Sequence, residues 1–387
     1  LIASAILSGT VIYFDSLREL ALQNSLDKLS PTETNVLVKV VRGPSNFDEY
    51  GKVASLVTNQ IDSNINWLLE DVKRGGKTAT FYMSPPGQES SASNDNARAF
   101  FAFLPELSSN ITIQQGGKMP AEPAQIPQAG IPLSIEAVIP ADAADLFGLK
   151  EGDHLSAIPF WSEKNFYADV TVTGIFHRDN PENAIWSIAD NIFASATKGN
   201  FRTIPLYVSE NSYLSYLGET FTNMDSSYVW LLDVDRSKLD ASNAGQALTN
   251  MISMEKGLSS LIRSYRQYTF LDEAIIGYDQ RLFYSKAPMF MVFILIGSVI
   301  LYYLVTLSSM LVEQQGAETA LLRSRGASSF QILSVFAIEG ASICMISIIL
   351  GPIFSSIIIA LLGMELMIVR FLFQQECISI KLMQEVL

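Results

Sequence analysis

The chain has 387 residues, of which 49% are hydrophobic and 17% are charged, and its formal net charge is −13. In soluble domains about a quarter of the residues are charged, so this chain is more apolar than such domains. Its negative net charge excludes nucleic-acid binding, which requires clustered Lys and Arg. The two cysteines, Cys344 and Cys377, provide neither a disulfide framework nor a cysteine-rich metal site.

The first 30 residues are predicted to form one helix that starts in a membrane. Residues 1–14 are apolar apart from small Ser, Thr and Gly residues, but crossing a bilayer takes about 20 residues. We interpret them as transmembrane helix 1 without its first turns, which would make the sequence a fragment. The alternative, a signal-peptide core, lacks a small-residue cleavage site. Residues 15–30 continue the pattern as a stalk helix with Leu17 and Leu20 on its apolar stripe, and Pro31 ends it.

Residues 31–266 are predicted to form a mixed α and β domain. Val-rich or alternating segments predict strands at 35–42, 78–83, 100–104, 111–113, 134–139, 168–176, 204–208 and 228–234. Apolar residues recur every three or four positions between Val53 and Val72, which predicts a helix over 47–73. A second helix is predicted over 239–262. Segments 84–96 and 116–132 are rich in Pro and Gly, which is typical of loops.

Residues 267–286 are predicted to form a second stalk helix. Its apolar stripe has the spacing of one helix face, and its members are Leu271, Ile275, Tyr278 and Leu282. Stripes of this kind normally bury against another helix, so we expect this helix to pair with residues 15–30 as an antiparallel stalk. The alternative is that each helix packs on the domain by itself.

Two long apolar segments near the C-terminus predict an integral membrane protein in a lipid bilayer. Residues 287–312 have no charge between positions 289 and 310, and residues 332–362 contain one charged residue, Glu339. Both exceed the length of about 20 residues that a bilayer requires. Charged residues, among them Glu365, Arg370, Glu376 and Lys381, interrupt 363–387, which is predicted to be an uncertain tail or a partial transmembrane helix. Basic residues flank both membrane surfaces, so charge alone leaves the orientation open.

The connector between the two segments, residues 313–331, is the most informative part of the sequence. It has a helix-forming core over 317–325, and Gly326 suits a left-handed C-cap that turns the chain back. The segment is too apolar for a free loop and too polar to span a membrane. We therefore expect it to lie along the membrane surface.

The connector resembles the signature of a known family. Residues 318–333 read Glu-Thr-Ala-Leu-Leu-Arg-Ser-Arg-Gly-Ala-Ser-Ser-Phe-Gln-Ile-Leu, and Glu339-Gly340 follows. This stretch is similar to that of FtsX-like permeases, found in MacB-type ABC transporters, which are also called type VII or mechanotransmission systems. Segments 135–139, 143–153 and 170–176 resemble the periplasmic core domain of that family. The resemblance covers the chain up to about residue 362.

The resemblance implies a multi-pass protein of the plasma or inner membrane. A large α+β domain would be inserted between transmembrane helices 1 and 2 on the extracytoplasmic side, and the connector would bind a separate ATP-binding subunit in the cytoplasm. The connector residues implied to couple to that ATP-binding subunit are Glu318, Leu321, Leu322, Arg323, Arg325 and Gly326. A second permease copy or homologous half is implied as a further partner, with no catalytic residue, metal or cofactor on this chain. A family unit has a fourth transmembrane helix, which 363–387 does not clearly supply.

Three functions are compatible with the sequence. The first is a permease subunit that couples ATP hydrolysis on another chain to export or extraction of a lipoprotein, peptide, drug or lipid. The second is an FtsX-like regulator that activates an extracytoplasmic hydrolase. The third is a membrane-anchored enzyme, for which no catalytic motif or P-loop spacing is found. The sequence favours the first function, a permease subunit, and does not specify its cargo.

Overall fold

The structure is a computed structural model that describes residues 2–89, 96–123, 131–161, 166–192, 196–198, 201–316, 320–321, 324–326 and 328–385. The chain divides into two compact units. One is a helical unit, Leu1–Asn24 and Ile276–Leu387, and the other is an α/β unit, Ser25–Ile275.

The described part of the chain contains both helices and strands, and the strands all belong to the α/β unit. In chain order the helices are α1 (Ile2–Leu26), α2 (Pro31–Thr34), α3 (Phe47–Asn64), α4 (Ala141–Phe147), α5 (Ile185–Ile192), α6 (Gly218–Thr220), α7 (Ala244–Leu261), α8 (Leu271–Gln314) and α9 (Ser329–Glu385). The strands are β1 (Val36–Gly43), β2 (Leu69–Thr78), β3 (Phe81–Ser84), β4 (Ala97–Phe103), β5 (Ile111–Ile113), β6 (Leu133–Pro140), β7 (His154–Pro159), β8 (Ala168–Arg178), β9 (Ala196–Lys198), β10 (Phe201–Tyr207), β11 (Ser226–Val234) and β12 (Tyr265–Tyr268). A π-helical turn, Ser212–Leu217, leads into α6.

One part of the α/β unit is a four-stranded antiparallel layer in the order β12-β1-β11-β2. β1 alternates buried and partly exposed residues, with Val36, Val38 and Val40 buried, as expected for a strand with one face in the core. Helices α3 and α7 lie side by side, and the Asn250 side chain donates to the Asn64 carbonyl at 2.8 Å. The two connections β1–α3–β2 and β11–α7–β12 therefore supply the helices of this part of the unit.

The other part is a closed circuit of six of the described strands. β4 pairs with β3, β3 with β7, β7 with β8, β8 with β6, β6 with β10, and β10 returns to β4. β4 also pairs with β2, which joins the circuit to the four-stranded layer in one sheet. A core cluster that includes Phe176 and Trp186, each 1% exposed, contains residues from both parts. The mixed α and β character predicted for this region is confirmed.

The predicted helix over 47–73 is wrong in its last third. Helix α3 ends at Asn64, and residues 69–78 form strand β2, which pairs with β11 with Lys73 opposite Leu231. The helical spacing of the apolar residues is overridden because β11 offers a full-length apolar neighbour, and such tertiary pairing outweighs local periodicity. Strands β7, β9 and β12 and helices α2, α5 and α6 were not predicted. The other predicted strands match observed ones to within a few residues.

In the helical unit, α1 contacts α9 through small residues. Ser4 Oγ donates to the Ser347 carbonyl at 2.7 Å, and Gly351 lies directly against Ser4. Ser347, Gly351 and Ser355 follow one another at intervals of four residues, which places them on one face of α9. Small residues at this spacing let helix backbones approach closely in a membrane. Two segments of the described helices, Phe290–Gln314 and Ser329–Ile358, are long and apolar enough to cross a membrane.

Candidate coupling site

Helix α8 combines two different surfaces in one continuous rod. Its first turns carry the predicted stripe, and all four members are buried: Leu271, Ile275, Tyr278 and Leu282. From Phe290 to Gln314 the same helix is apolar and almost entirely exposed. At about 1.5 Å per residue, its 44 residues rise about 66 Å without a break. One continuous helix therefore joins the buried stripe to a segment suited to a bilayer.

The hydroxyl of Tyr278 is an exception within the buried stripe. The residue is 2% exposed, and its Oη has no hydrogen-bond partner among the described residues. A buried hydroxyl without a partner opposes folding, whereas an apolar replacement of the same shape is close to neutral or favourable. The Tyr228 hydroxyl differs because it donates to the Pro44 carbonyl at 2.7 Å.

We expect Tyr278→Phe to leave the melting temperature of the full chain in detergent unchanged or slightly higher. Tyr228→Phe is the matched control and should cost about 1 kcal/mol, the typical net value of one hydrogen bond. Thermal denaturation followed by near-ultraviolet circular dichroism measures both. Equal destabilisation by the two substitutions would mean that the Tyr278 hydroxyl has a partner that stabilises the fold.

The structure does not place Leu17 and Leu20 on a buried face of α1. They are 39% and 62% exposed, whereas the buried residues of the helix end are Leu22, Ser25 and Leu26. Leucines occur on two sides of this helix, and the sequence pattern selected the exposed side. The spacing of Leu22 and Leu26, one helical turn apart, was the signal for the buried side. The pairing of this helix with residues 267–286 as a stalk stays a prediction.

Arg236 attaches the end of α1 to the α/β unit, and sequence reasoning missed it. Its guanidinium donates to the carbonyls of Leu29 at 2.9 Å and Ser30 at 2.8 Å, and its Nε donates to Thr34 Oγ1 at 3.2 Å. Leu29 and Ser30 lie beyond the end of α1 at Leu26, and the Ser30 carbonyl also accepts the Thr34 N–H at 3.3 Å. The three contacts fix the short segment 29–34 that follows α1.

The same segment also holds the start of α8. The Phe270 N–H donates to the Glu33 carbonyl at 3.2 Å, one residue before α8 begins. The segment is itself stiff, because Ser30 and Glu33 form a capping box in which the Ser30 N–H donates to the Glu33 carboxylate at 2.7 Å. That bond holds the pKa of Glu33 below its ordinary value. Both helices therefore connect to one small, cross-linked element within the α/β unit.

The connector is described in part. Glu318, Leu322 and Arg323 lie outside the described residues. Leu321 is 61% exposed, and Arg325 is exposed as well. Gly326 has a φ of 84°, which confirms the predicted left-handed conformation at the end of the helical core.

A capping box starts α9 directly after this turn. The Gln331 N–H donates to Ser328 Oγ at 3.3 Å, and the Ser328 N–H donates to Gln331 Oε1 at 3.0 Å. The Ser-x-x-Gln spacing is the signature of such a box, and it was not used in the sequence analysis.

The described residues contain no site for a metal ion. Across the described ranges, no group of three or more His, Cys, Asp or Glu side chains is arranged to hold a metal ion. His154 Nδ1 lies 3.4 Å from both Asp169 Oδ1 and Thr171 Oγ1 on the surface. His177 Nε2 lies 3.3 Å from Gln114 Nε2.

No protein-family profile matches this sequence, and no curated protein sequence matches it. Two solved structures are similar to part of the chain. One is a domain from Porphyromonas gingivalis described as belonging to a permease; it is 13% identical, the match covers 62% of this chain and 88% of that domain, and the TM-score is 0.26. The other is the periplasmic region of MacB from Actinobacillus actinomycetemcomitans, with 11% identity, coverage of 66% and 98%, and a TM-score of 0.32.

Both neighbours are of the kind that the connector and domain motifs predict. TM-scores below 0.5 do not establish a common fold. The function is therefore inferred from the residues and contacts of this chain.

Proposed function

We propose that this chain is the membrane-spanning permease subunit of a MacB-type ABC transporter, with ATP hydrolysed on a separate chain. The observation that carries the proposal is helix α8, which unites a buried stripe, a charge-free apolar span and, directly after it, the connector with the permease-like sequence. In this proposal α8 and α9 cross the membrane, the connector is cytoplasmic, and the α/β unit is extracytoplasmic. The chain has no catalytic role of its own.

The proposed mechanism is mechanical. An ATP-binding subunit would contact the connector through its exposed side chains, Leu321 and Arg325 among them, and ATP binding would displace the helices. Long helices move as rigid bodies, and small shifts at their ends suffice for hinge or shear motion. The segment 29–34 would receive that motion from both helices, because it follows α1 in the chain and accepts the Phe270 N–H one residue before α8.

A second permease copy or a homologous half is part of the proposal. Leu17 and Leu20 are exposed on α1, although both are large and apolar. An apolar helix face that its own chain leaves uncovered suits a partner helix of matching character. We place that partner against Leu17 and Leu20. These two residues keep their proposed role in a stalk, but the stalk then forms between two subunits.

The proposal is tested with proteoliposomes that contain the full chain and the ATP-binding-cassette subunit encoded by a neighbouring gene. We expect the chain to bind that subunit and to change its ATPase rate, and we expect Arg323→Glu, Arg325→Glu and Gly326→Pro each to reduce this effect at least tenfold. Reversal of a connector charge opposes docking, and proline cannot adopt the positive φ of Gly326.

Arg263→Glu is the control, because it reverses one exposed arginine in the α/β unit. It should leave binding and ATPase rate unchanged. If all three connector variants bind and stimulate the ATPase like the unaltered chain, the coupling role is wrong. ATPase stimulation by cargo in the same liposomes supports transport, whereas activation of an added hydrolase without cargo supports the regulator.

A further inference from the structure

Two pairs of basic residues face each other where β1 pairs with β12, a strand at the edge of the described sheet. Lys39 lies directly opposite Arg266. The same antiparallel register continues beyond the strand and brings Arg42 opposite Arg263, because a main-chain hydrogen bond of 3.1 Å still joins the two segments between the pairs. Residues that are opposite on antiparallel strands have Cα atoms about 5 Å apart. We call these four residues the basic edge.

A β-bulge sets the position of Arg42 in the basic edge. The register of β1 with β11 shifts by one residue between Val40 and Gly43, and Arg42 lies in this bulge with a φ of 54°, which is uncommon for residues other than glycine. Without the bulge, alternation along the strand would put Lys39 and Arg42 on opposite faces of the sheet. The extra residue interrupts that alternation, and bulges of this kind re-aim a side chain. The two cations of β1 can therefore face the same ligand.

The described residues contain no ion pair that neutralises the basic edge. Other cations do meet a carboxylate, as Lys118 does with Glu136 at 3.3 Å, and the chain has 39 acidic residues against 26 basic ones. The carboxylate of Glu255 on α7 is near Tyr265, whose pKa is raised by burial and further by that charge. Tyr265 alternates with Arg266 along β12, so Glu255 lies on the other face of the strand.

The basic edge on its own opposes folding. Like charges directly opposite on neighbouring strands destabilise a sheet. Lys39 is also half-buried, and burial lowers its pKa. Burial lowers the pKa of Lys77 on β2 as well, and the charge of Lys39 lowers it further, so the positive charge of Lys39 is not compensated where it lies. An anion bound from outside the chain would offset this repulsion.

The chemistry of the four side chains selects the class of anion. Guanidinium groups present planar forks of N–H donors that match the oxygens of carboxylates and phosphates. Arg42, Arg263 and Arg266 are exposed, and Arg266 uses one nitrogen to donate to the Tyr265 carbonyl. A single exposed ion pair contributes little to binding, so one carboxylate does not suffice. The two pairs are three residues apart along the strands, about 10 Å, a distance that a ligand with several charged groups can bridge.

We propose that the basic edge binds a multivalent oxyanion, a ligand that carries two or more phosphate or carboxylate groups. In this site Lys39 and Arg266 hold one anionic group, and Arg42 and Arg263 hold another. The ligand offsets the repulsion within each pair, which adds to the attraction of the individual charges. The site does not depend on the permease role, because it requires neither the connector nor an ATP-binding subunit.

The test is isothermal titration calorimetry of the full chain in an uncharged detergent at low salt, with tripolyphosphate as the phosphate probe and citrate as the carboxylate probe. We expect at least one probe to bind, and the double variant Arg42→Gln with Arg266→Gln to weaken that binding about tenfold. Binding should also weaken at high salt, because ions screen exposed charges. Binding of tripolyphosphate without citrate assigns the site to phosphate groups, and the reverse assigns it to carboxylates.

The double variant Arg74→Gln with Lys118→Gln is the matched control. It removes the same two charges, but from cations that Glu210 and Glu136 already neutralise at 2.8 and 3.3 Å. It should bind the probes like the unaltered chain, and near-ultraviolet circular dichroism verifies that every variant is folded. Two results would overturn the proposal. In one, neither probe binds the unaltered chain at low salt; in the other, the control variant loses as much binding as the variant of the basic edge.

Discussion

Gly351→Leu is expected to separate α1 from α9 and to destabilise the helical unit by about 3 kcal/mol, at the upper end of the cost of overpacking. A Cβ at Gly351 would overlap Ser4 Oγ and would lie 2.9 Å from Ser4 Cβ and 3.1 Å from the Ser4 carbonyl carbon. Rotating the serine side chain cannot relieve the backbone contact, so α1 itself has to move. The hydrogen bond from Ser4 to the Ser347 carbonyl, 2.7 Å long, is lost with it.

Gly340→Leu provides the control in the same helix. Gly340 has nothing within 4 Å of the position that a Cβ would occupy, and leucine favours helix over glycine by up to about 1 kcal/mol. We therefore expect this variant to keep or raise the melting temperature of the full chain in detergent. A similar loss for the two variants would show that the contact between Ser4 and Gly351 does not hold α1.

The elements that the sequence predicts are those whose conformation depends on residues close to one another in the chain. β1, β6, β8 and β11 are rich in β-branched or aromatic residues, and the structure has a strand at each predicted position. The glycine after the connector core adopts the positive φ that its position requires. In each case the residues that determine the conformation lie within one or two turns of one another.

The parts that could not be predicted depend on contacts between distant segments. β2 is a strand because β11, about 150 positions later, pairs with it, whereas its own sequence continues a helical spacing. A surface cavity beside α3 is lined by Tyr50, Arg74 and Glu210, which no sequence spacing connects. Leu17 and Leu20 follow a helical stripe as well as Leu22 and Leu26 do, and only the packed structure distinguishes the two sides.

Arg236 is a further example of a contact between distant segments, and we expect its substitution to have a large effect on stability. Its partners Leu29, Ser30 and Thr34 are more than 200 positions away in the chain. We expect Arg236→Ala to destabilise the α/β unit by about 3 kcal/mol, because hydrogen bonds from a charged donor contribute about 1.5–3 kcal/mol each and three such bonds share one partly exposed group. Arg236→Lys should retain part of the stability, since an ammonium lacks the planar fork that reaches two carbonyls at once.

Hydrogen exchange distinguishes this attachment from a general loss of stability. Under native conditions, Arg236→Ala should accelerate exchange most strongly at residues 29–35 and 270–275, because the segment bonded to Arg236 also accepts the Phe270 N–H. Arg266→Ala is the control, since that exposed side chain donates to the carbonyl of its own neighbour, Tyr265, at 2.9 Å. If the two variants show the same exchange at these residues, Arg236 does not join the helices. If Arg236→Ala alone releases both segments, one side chain controls the element through which the proposed motion of α1 and α8 would enter the α/β unit.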